Sequence, residues 1–246
     1  MDLEFLLFVA IGFAAQLVDG ALGMAFGIIA SSSLIATGAP PAIASAAVHA
    51  AEIVTTGISG ASHVWNRNVD RKLFLTLVLS GAAGGVLGAF VLTGLPEEII
   101  KPIVTLYLAV MAGLIFARLR GRARAAWRPP TPAIGAGGGF LDAVGGGGWG
   151  PLVVSTLVAT GDNPRRSVGS VNLAEFFIAI IVSVTFLSQL DLARYGKLVI
   201  GLMIGGALAA PLAGYLLRIM RMRAALMLIG VVVAVLTVFN VIRLFI

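Results

Sequence analysis

Apolar runs separated by short polar or glycine-rich breaks make up almost the whole chain, and their lengths follow the same order twice. In the first half the runs cover about residues 3–18, 21–37, 41–64, 72–93 and 99–118; in the second, about 132–144, 148–160, 165–188, 196–217 and 223–243. The last three runs of each half are long enough to cross a bilayer as helices, since a crossing takes about 20 residues. The first two are shorter and broken by glycine, at Asp19-Gly20 in one half and at Gly145 to Gly148 in the other. They read as half-helices forming a hairpin within the membrane, or as a tight helix pair. Gly38/Pro41 and Gly161/Pro164 close the second run and open the third in each half, with proline near the first turn, where its missing N–H is harmless. The expected fold is all-α and polytopic.

The two halves are copies. Residues 12–52 slide onto 135–175 without a gap, and 13 of the 41 positions are identical, among them Gly12, Asp19, Gly23, Gly27, Ser32, Gly38, Pro41 and Glu52. Chance in so apolar a composition would give roughly a tenth. Past residue 70 the offset drifts, so that Gly81 meets Gly206 and Leu87 meets Leu212. The predicted organisation is one integral membrane domain over residues 1–246: repeat 1 at 1–118, a cytoplasmic linker at 119–131, and repeat 2 at 132–246. Glycines such as Gly81, Gly84, Gly85 and Gly88 in the fourth run are read as close helix packing.

Composition agrees with a bilayer. The chain is 59% hydrophobic and 11% charged, where soluble domains carry about 25% charged residues. The net charge of +6 does not point to nucleic acid, because the basic residues are spread over short loops and not clustered with aromatics. The chain has no cysteine, which excludes disulfides and thiolate metal sites. Met1-Asp2-Leu3-Glu4 lacks the positive stretch of a signal peptide, so the first run is expected to be retained.

Basic residues also choose a topology. Five arginines lie between Arg118 and Arg128. If the first two runs of each half make an even number of passes, that stretch shares the cytoplasmic side with Arg67/Arg71/Lys72, Arg165/Arg166 and Arg218/Arg221/Arg223. Only Lys101, Arg194, Lys197 and Arg243 of the 17 basic residues then lie outside. An odd count would place the triple-arginine loop outside as well, so the even count is preferred. Each half then crosses an odd number of times, the repeats are inverted, and both termini face outward.

The candidate chemistry lies in the repeated part. Asp19 and Glu52 recur as Asp142 and Glu175, and His49 and Asn172 each precede their glutamate by three residues, on the same helical face. An unpaired carboxylate at membrane depth costs a few kcal/mol, so such groups face a cavity, pair up or hold a proton. Two roles stay open: coupling or gating by Asp19, Glu52, Asp142 and Glu175, or helix glue through hydrogen bonds. Asp19 is also placed to cap a half-helix beginning at Gly20. Glycines supply the second element. Gly146, Gly147, Gly148 and Gly150, with Gly20, Gly23 and Gly27 in the other half, would leave backbone amides open at half-helix starts, which bind anions. Ser32 and Ser155 match across the repeat and join His49 and Asn172 as candidate polar ligands. No Gly-Lys-Ser/Thr follows the glycines, so nucleotide binding is rejected. Trp65 and Trp127 are read as interfacial anchors.

These residues resemble the sulfite exporter TauE/SafE family of membrane permeases over nearly the whole chain. The resemblance is carried by the glycine-rich opening of each half, by Thr37-Gly38-Ala39-Pro40-Pro41 and its echo Thr160-Gly161-Asp162-Asn163-Pro164, and by Gly60 through Asn68-Val69-Asp70. His49-Ala50-Ala51-Glu52 and Asn172-Leu173-Ala174-Glu175 resemble one branch of it. The resemblance implies a secondary transporter in the cell inner (plasma) membrane that exports small sulfur-containing anions such as sulfite or organosulfonates. Proton coupling through the carboxylates would remove their repulsion of an anion, because a protonated carboxyl is neutral. A cation-coupled or cation-transporting permease and a passive anion channel are the alternatives. An intramembrane aspartyl protease is disfavoured, since neither Asp19 nor Asp142 lies in a Gly-x-Gly-Asp context, so no catalytic residue is assigned. No cofactor and no metal ligand are predicted. The expected partners are the anion and the lipid bilayer, with a homodimer as an option and no nucleic acid.

Overall fold

The structure is a computed structural model that describes residues 2–22, 25–119, 129–219 and 222–244. Ten α-helices follow one another among these residues, with no strand: α1 (Leu3–Leu22), α2 (Phe26–Thr37), α3 (Pro41–Trp65), α4 (Arg71–Gly94), α5 (Glu97–Leu119), α6 (Thr131–Gly145), α7 (Trp149–Ala159), α8 (Pro164–Gln189), α9 (Gly196–Ile219) and α10 (Met222–Leu244). A 3-10 turn, Leu192–Tyr195, leads into α9. Six helical segments are long and apolar enough to cross a membrane, drawn from α3, α4, α5, α8, α9 and α10. These are the six long runs of the sequence, and the chain is an all-α, multi-pass membrane protein. Most of the linker, residues 120–128, lies outside the described residues, as does Gly23.

The first half departs from expectation at its break. α1 does not stop at Asp19-Gly20 but runs on to Leu22. A glycine inside a helix costs only about 1 kcal/mol and does not by itself end it. In the second half the break falls where the glycines are. Gly146, Gly147 and Gly148 have φ of 69°, 135° and 127°, conformations that side chains with a Cβ rarely adopt. Gly38 and Gly161 also stand at positive φ, each just past the end of its short helix.

Local chemistry explains the longer helices. Asp70 caps α4 by accepting the Leu73 N–H at 2.9 Å, and its own N–H donates to Ser170 Oγ at 2.8 Å, which ties this corner to α8. Asn163 caps α8 through the amides of Arg165 and Arg166, with Pro164 opening the helix as the sequence suggests.

Packing exchanges elements between the halves. α1 lies along α9, and α6 lies along α4. Both seams are made by glycine. A Cβ at Gly84 would run into the Ala136 carbonyl, one at Gly88 would meet Phe140, and in the other seam Gly205 abuts Val9 and Phe13. α3 and α8 cross at the centre in opposite directions, with Gly60 on Leu173, Gly57 on Phe176 and Gly169 on Asn68. Charged residues gather at two ends. Lys197 pairs with Asp2 at 2.5 Å, and Arg243 lies over Gly38, beside the start of α3. Asp70, Lys72, Asn163 and Arg166 surround a cavity of about 420 Å³ beyond the end of α3. Trp65, a predicted interfacial anchor, is 88% exposed.

Candidate functional site

Asp19 and Asp142 do the same thing in the two halves. The Asp19 carboxylate reaches out of α1 and accepts the amides of Ala25 (2.5 Å) and Phe26 (3.0 Å), where α2 begins. The Asp142 carboxylate reaches out of α6 and accepts the amide of Trp149 at 2.9 Å, where α7 begins. Both aspartates thus serve a helix that starts seven residues later. Asp19 is not the cap of a helix beginning at Gly20, because no helix begins there. A carboxylate at the positive end of a helix dipole is favoured by about 0.3–2 kcal/mol, which offsets part of its burial.

That arrangement takes up part of the amide surface expected for an anion. The amides of Gly146 and Gly147 both donate to the Asp142 carbonyl, the latter at 3.0 Å. The amide of Trp149 is taken by the Asp142 side chain. Where an anion would have bound at the start of α7, the protein has placed its own carboxylate. Gly147 instead permits a backbone crossing, since a Cβ there would overlap Gly27 and the amide nitrogen of Ile28.

His49 is fully buried in α3, and its protonation pattern follows from its partners. Nδ1 lies 2.8 Å from the Ser45 carbonyl oxygen, which can only accept, so Nδ1 carries the hydrogen. Nε2 faces Asp142 Oδ2 at 3.2 Å. A hydrogen bond there holds a single proton, shared as imidazolium with carboxylate or as imidazole with carboxylic acid. Ser45 Oγ donates to the Ala143 carbonyl at 2.6 Å and locks α3 against α6. Glu52 is one turn further along α3, 3% exposed, and its Oε2 has no hydrogen-bond partner. Donor atoms of His49, Glu52 and Asp142 all lie within 4.8 Å of one another. These three side chains are a set that can hold a metal ion.

A small cavity adjoins this cluster, with room for a water molecule. Its wall includes Asp19, Gly27, Glu52, Gly148, Gly150, Asn172 and Glu175. Seven of the residues singled out in the sequence, from both halves, therefore meet in one place. His49 and Asp142 stand beside Glu52 without lining the cavity. Gly146 packs on Ser31 and Ser45, and Gly20 lies within α1. The matched serines are elsewhere: the hydroxyl of Ser32 donates to Ile28 (2.6 Å) and that of Ser155 to Pro151, each within its own helix. Neither lines the cavity, and their match across the repeat reflects shared helix structure.

Sequence reasoning missed Thr55, Thr56, Ser59, Phe26 and Pro151 on the same wall. The first three were legible: they follow Glu52 by three, four and seven residues, one face of a helix. Tyr107 was not. It stands on α5, far in sequence, and its hydroxyl donates to the Gly147 carbonyl at 2.7 Å.

Comparison with known proteins places the chain in a family. The probable membrane transporter protein YtnM of Bacillus subtilis (strain 168) is 40% identical over 225 residues, covering 87% of this chain and 75% of the relative. No solved structure matches. The family model for sulfite exporter TauE/SafE matches residues 8–239. With the multi-pass helical fold and a buried polar site between its halves, the chain belongs to the sulfite exporter TauE/SafE family and is a membrane transporter, not an enzyme.

Proposed function

We propose that this transporter is a secondary exporter of the plasma membrane that moves a small sulfur-containing anion, such as sulfite or an organosulfonate, through the cavity between its halves. The observation that carries the reading is the composition of the cavity wall. Gly27 and Gly150, and Glu52 and Glu175, are pairs from matched positions of the two halves, and both pairs line one cavity. A site at the meeting of two repeats is what alternating access requires. The repeats, residues 1–118 and 132–246, are inverted in this reading and joined by a cytoplasmic linker. The antiparallel crossing of α3 and α8 supports that, as does the exchange in which α1 lies on α9 and α6 on α4. Asn172 and Ser59 are the neutral polar groups for the anion, since the hydroxyls of Thr55 and Thr56 donate to the Glu52 carbonyl, and Gly148 and Gly150 allow close approach.

Coupling falls to the carboxylates. The proton is the first reading, since protonation of Glu52 and Glu175 would admit an anion without repulsion. A second reading, coupling to another cation, is favoured by the closeness of His49, Glu52 and Asp142. The test is transport in proteoliposomes with sulfite and short organosulfonates under an imposed pH gradient. The double variant Glu52→Gln/Glu175→Gln keeps shape and hydrogen bonding while removing titration. It should still exchange substrate across the membrane but lose gradient-driven accumulation by at least about tenfold, about 1.4 kcal/mol of coupling. Undiminished, pH-sensitive uphill transport by that variant would eliminate the coupling role.

A further inference from the structure

We propose that His49, Glu52 and Asp142 bind a divalent transition-metal ion beside the central cavity. The donor set is one imidazole nitrogen and two carboxylate groups, all buried. Imidazole favours ions such as Zn²⁺, Co²⁺ or Mn²⁺ over Mg²⁺ or Ca²⁺, which take oxygen alone. Donors around an ion bound at about 2.1 Å stand about 3–4 Å apart, so the widest pair here has about 1 Å to close.

Two of the three ligands, His49 and Asp142, are already oriented from behind. A metal-binding histidine usually donates its second ring N–H to a backbone carbonyl or carboxylate, which fixes the tautomer and directs the free lone pair at the ion. His49 does so: Nδ1–H donates to the Ser45 carbonyl, which leaves Nε2 on the side of Asp142. Asp142 is held by Oδ1 on the Trp149 amide, so Oδ2 remains for the ion. The independent signs of a missing partner are two buried oxygens on the adjoining cavity wall. Glu52 Oε2 and Asn172 Oδ1 each lack a hydrogen-bond partner, in residues 3% and 7% exposed. Leaving such atoms unpartnered when buried is costly, more so for a charged one.

The halves are not equivalent here. Asp19, Glu175 and Asn172 are the matched set on the cavity, but the amide of Asn172 stands where His49 supplies a nitrogen. One half therefore offers an imidazole donor where the other offers a neutral amide. Three protein donors leave a coordination position open. If the cavity is the substrate site, as the transporter reading has it, an oxygen of the sulfur anion takes that position, and the ion supplies the positive charge that the cavity wall lacks. Metal binding itself does not depend on that last step.

The experiment is Co²⁺ titration of the purified, detergent-solubilised full chain, followed by visible absorption and by thermal shift, with Mn²⁺ and Zn²⁺ as competitors. The wild type should bind one Co²⁺ with a ligand-field spectrum and a raised melting temperature. His49→Gln, Glu52→Gln and Asp142→Asn should each weaken binding by more than about tenfold. The variants are near-isosteric, and their melting temperatures without metal show whether they fold. His63→Gln removes the other imidazole and should change nothing. Absence of a Co²⁺ spectrum in the folded wild type, or binding that persists in folded His49→Gln, overturns the metal site. Anion transport that continues in metal-free wild type would leave the transporter reading intact and discard only the ion's part in it. Metal binding without any anion transport would do the reverse.

Discussion

At the scale of single residues, the site depends on where carboxylates point and where glycines let backbones pass. Asp19 and Asp142 each spend a carboxylate oxygen on the first amides of α2 and α7, so those amides are not free for an anion. Gly147 is constrained twice over. Its φ of 135° and its crossing with Gly27 leave no room for a side chain. Gly147→Val should destabilise the protein by at least about 2 kcal/mol, from strained backbone and overpacking together. It should appear as loss of folded protein or a lower melting temperature in detergent, not as a clean loss of ligand binding. Tyr107→Phe removes one hydrogen bond to the Gly147 carbonyl and should cost only about 1 kcal/mol. A Tyr107→Phe protein as unstable as Gly147→Val would mean that the α5 contact, and not the crossing, holds the loop.

Between elements, the halves are held by helix seams in which glycine replaces side-chain volume with backbone proximity. The α4–α6 seam shows which glycines matter. Gly84 faces the Ala136 carbonyl, whereas nothing lies within 4 Å of the Cβ position at Gly137. Gly84→Ala should therefore destabilise by about 1–3 kcal/mol, since the opposing atoms are backbone and have little room to give. Gly137→Ala, one turn from the same seam, should be neutral or stabilising by about 0.5–1 kcal/mol through helix propensity. Thermal unfolding of the pair separates packing from propensity. Equal effects would show that the seam tolerates displacement, and would remove the reason for reading the fourth-run glycines as packing residues.

On the scale of the whole molecule, the reading to test is inversion. The chain has no cysteine, so single cysteines report sidedness without background. Position 2, beside Lys197, and position 163, beside Arg166, lie at opposite ends of the central helices. Asp2→Cys should label only from outside intact cells and Asn163→Cys only from the cytoplasm. Labelling of both from one side would leave a duplication with parallel copies.

Much of this protein could be read from order and spacing alone. Helix number, the six long spans and the pairing of residues 12–52 with 135–175 follow from local hydropathy and self-similarity, because each is a property of consecutive residues. The Glu52 face of α3 was legible in the same way, even where Thr55, Thr56 and Ser59 were passed over. The break after α1 was not, because it depends on Asp19 finding the amides of Ala25 and Phe26, six and seven residues on, which no propensity encodes. Nor were the approach of His49 to Asp142 and the reach of Tyr107 to Gly147, which join residues 93 and 40 positions apart. Sequence brought the polar residues into the membrane; tertiary packing decided which of them share a proton, a cavity or a backbone amide, because helices that cross at glycine bring together groups whose separation along the chain carries no distance information.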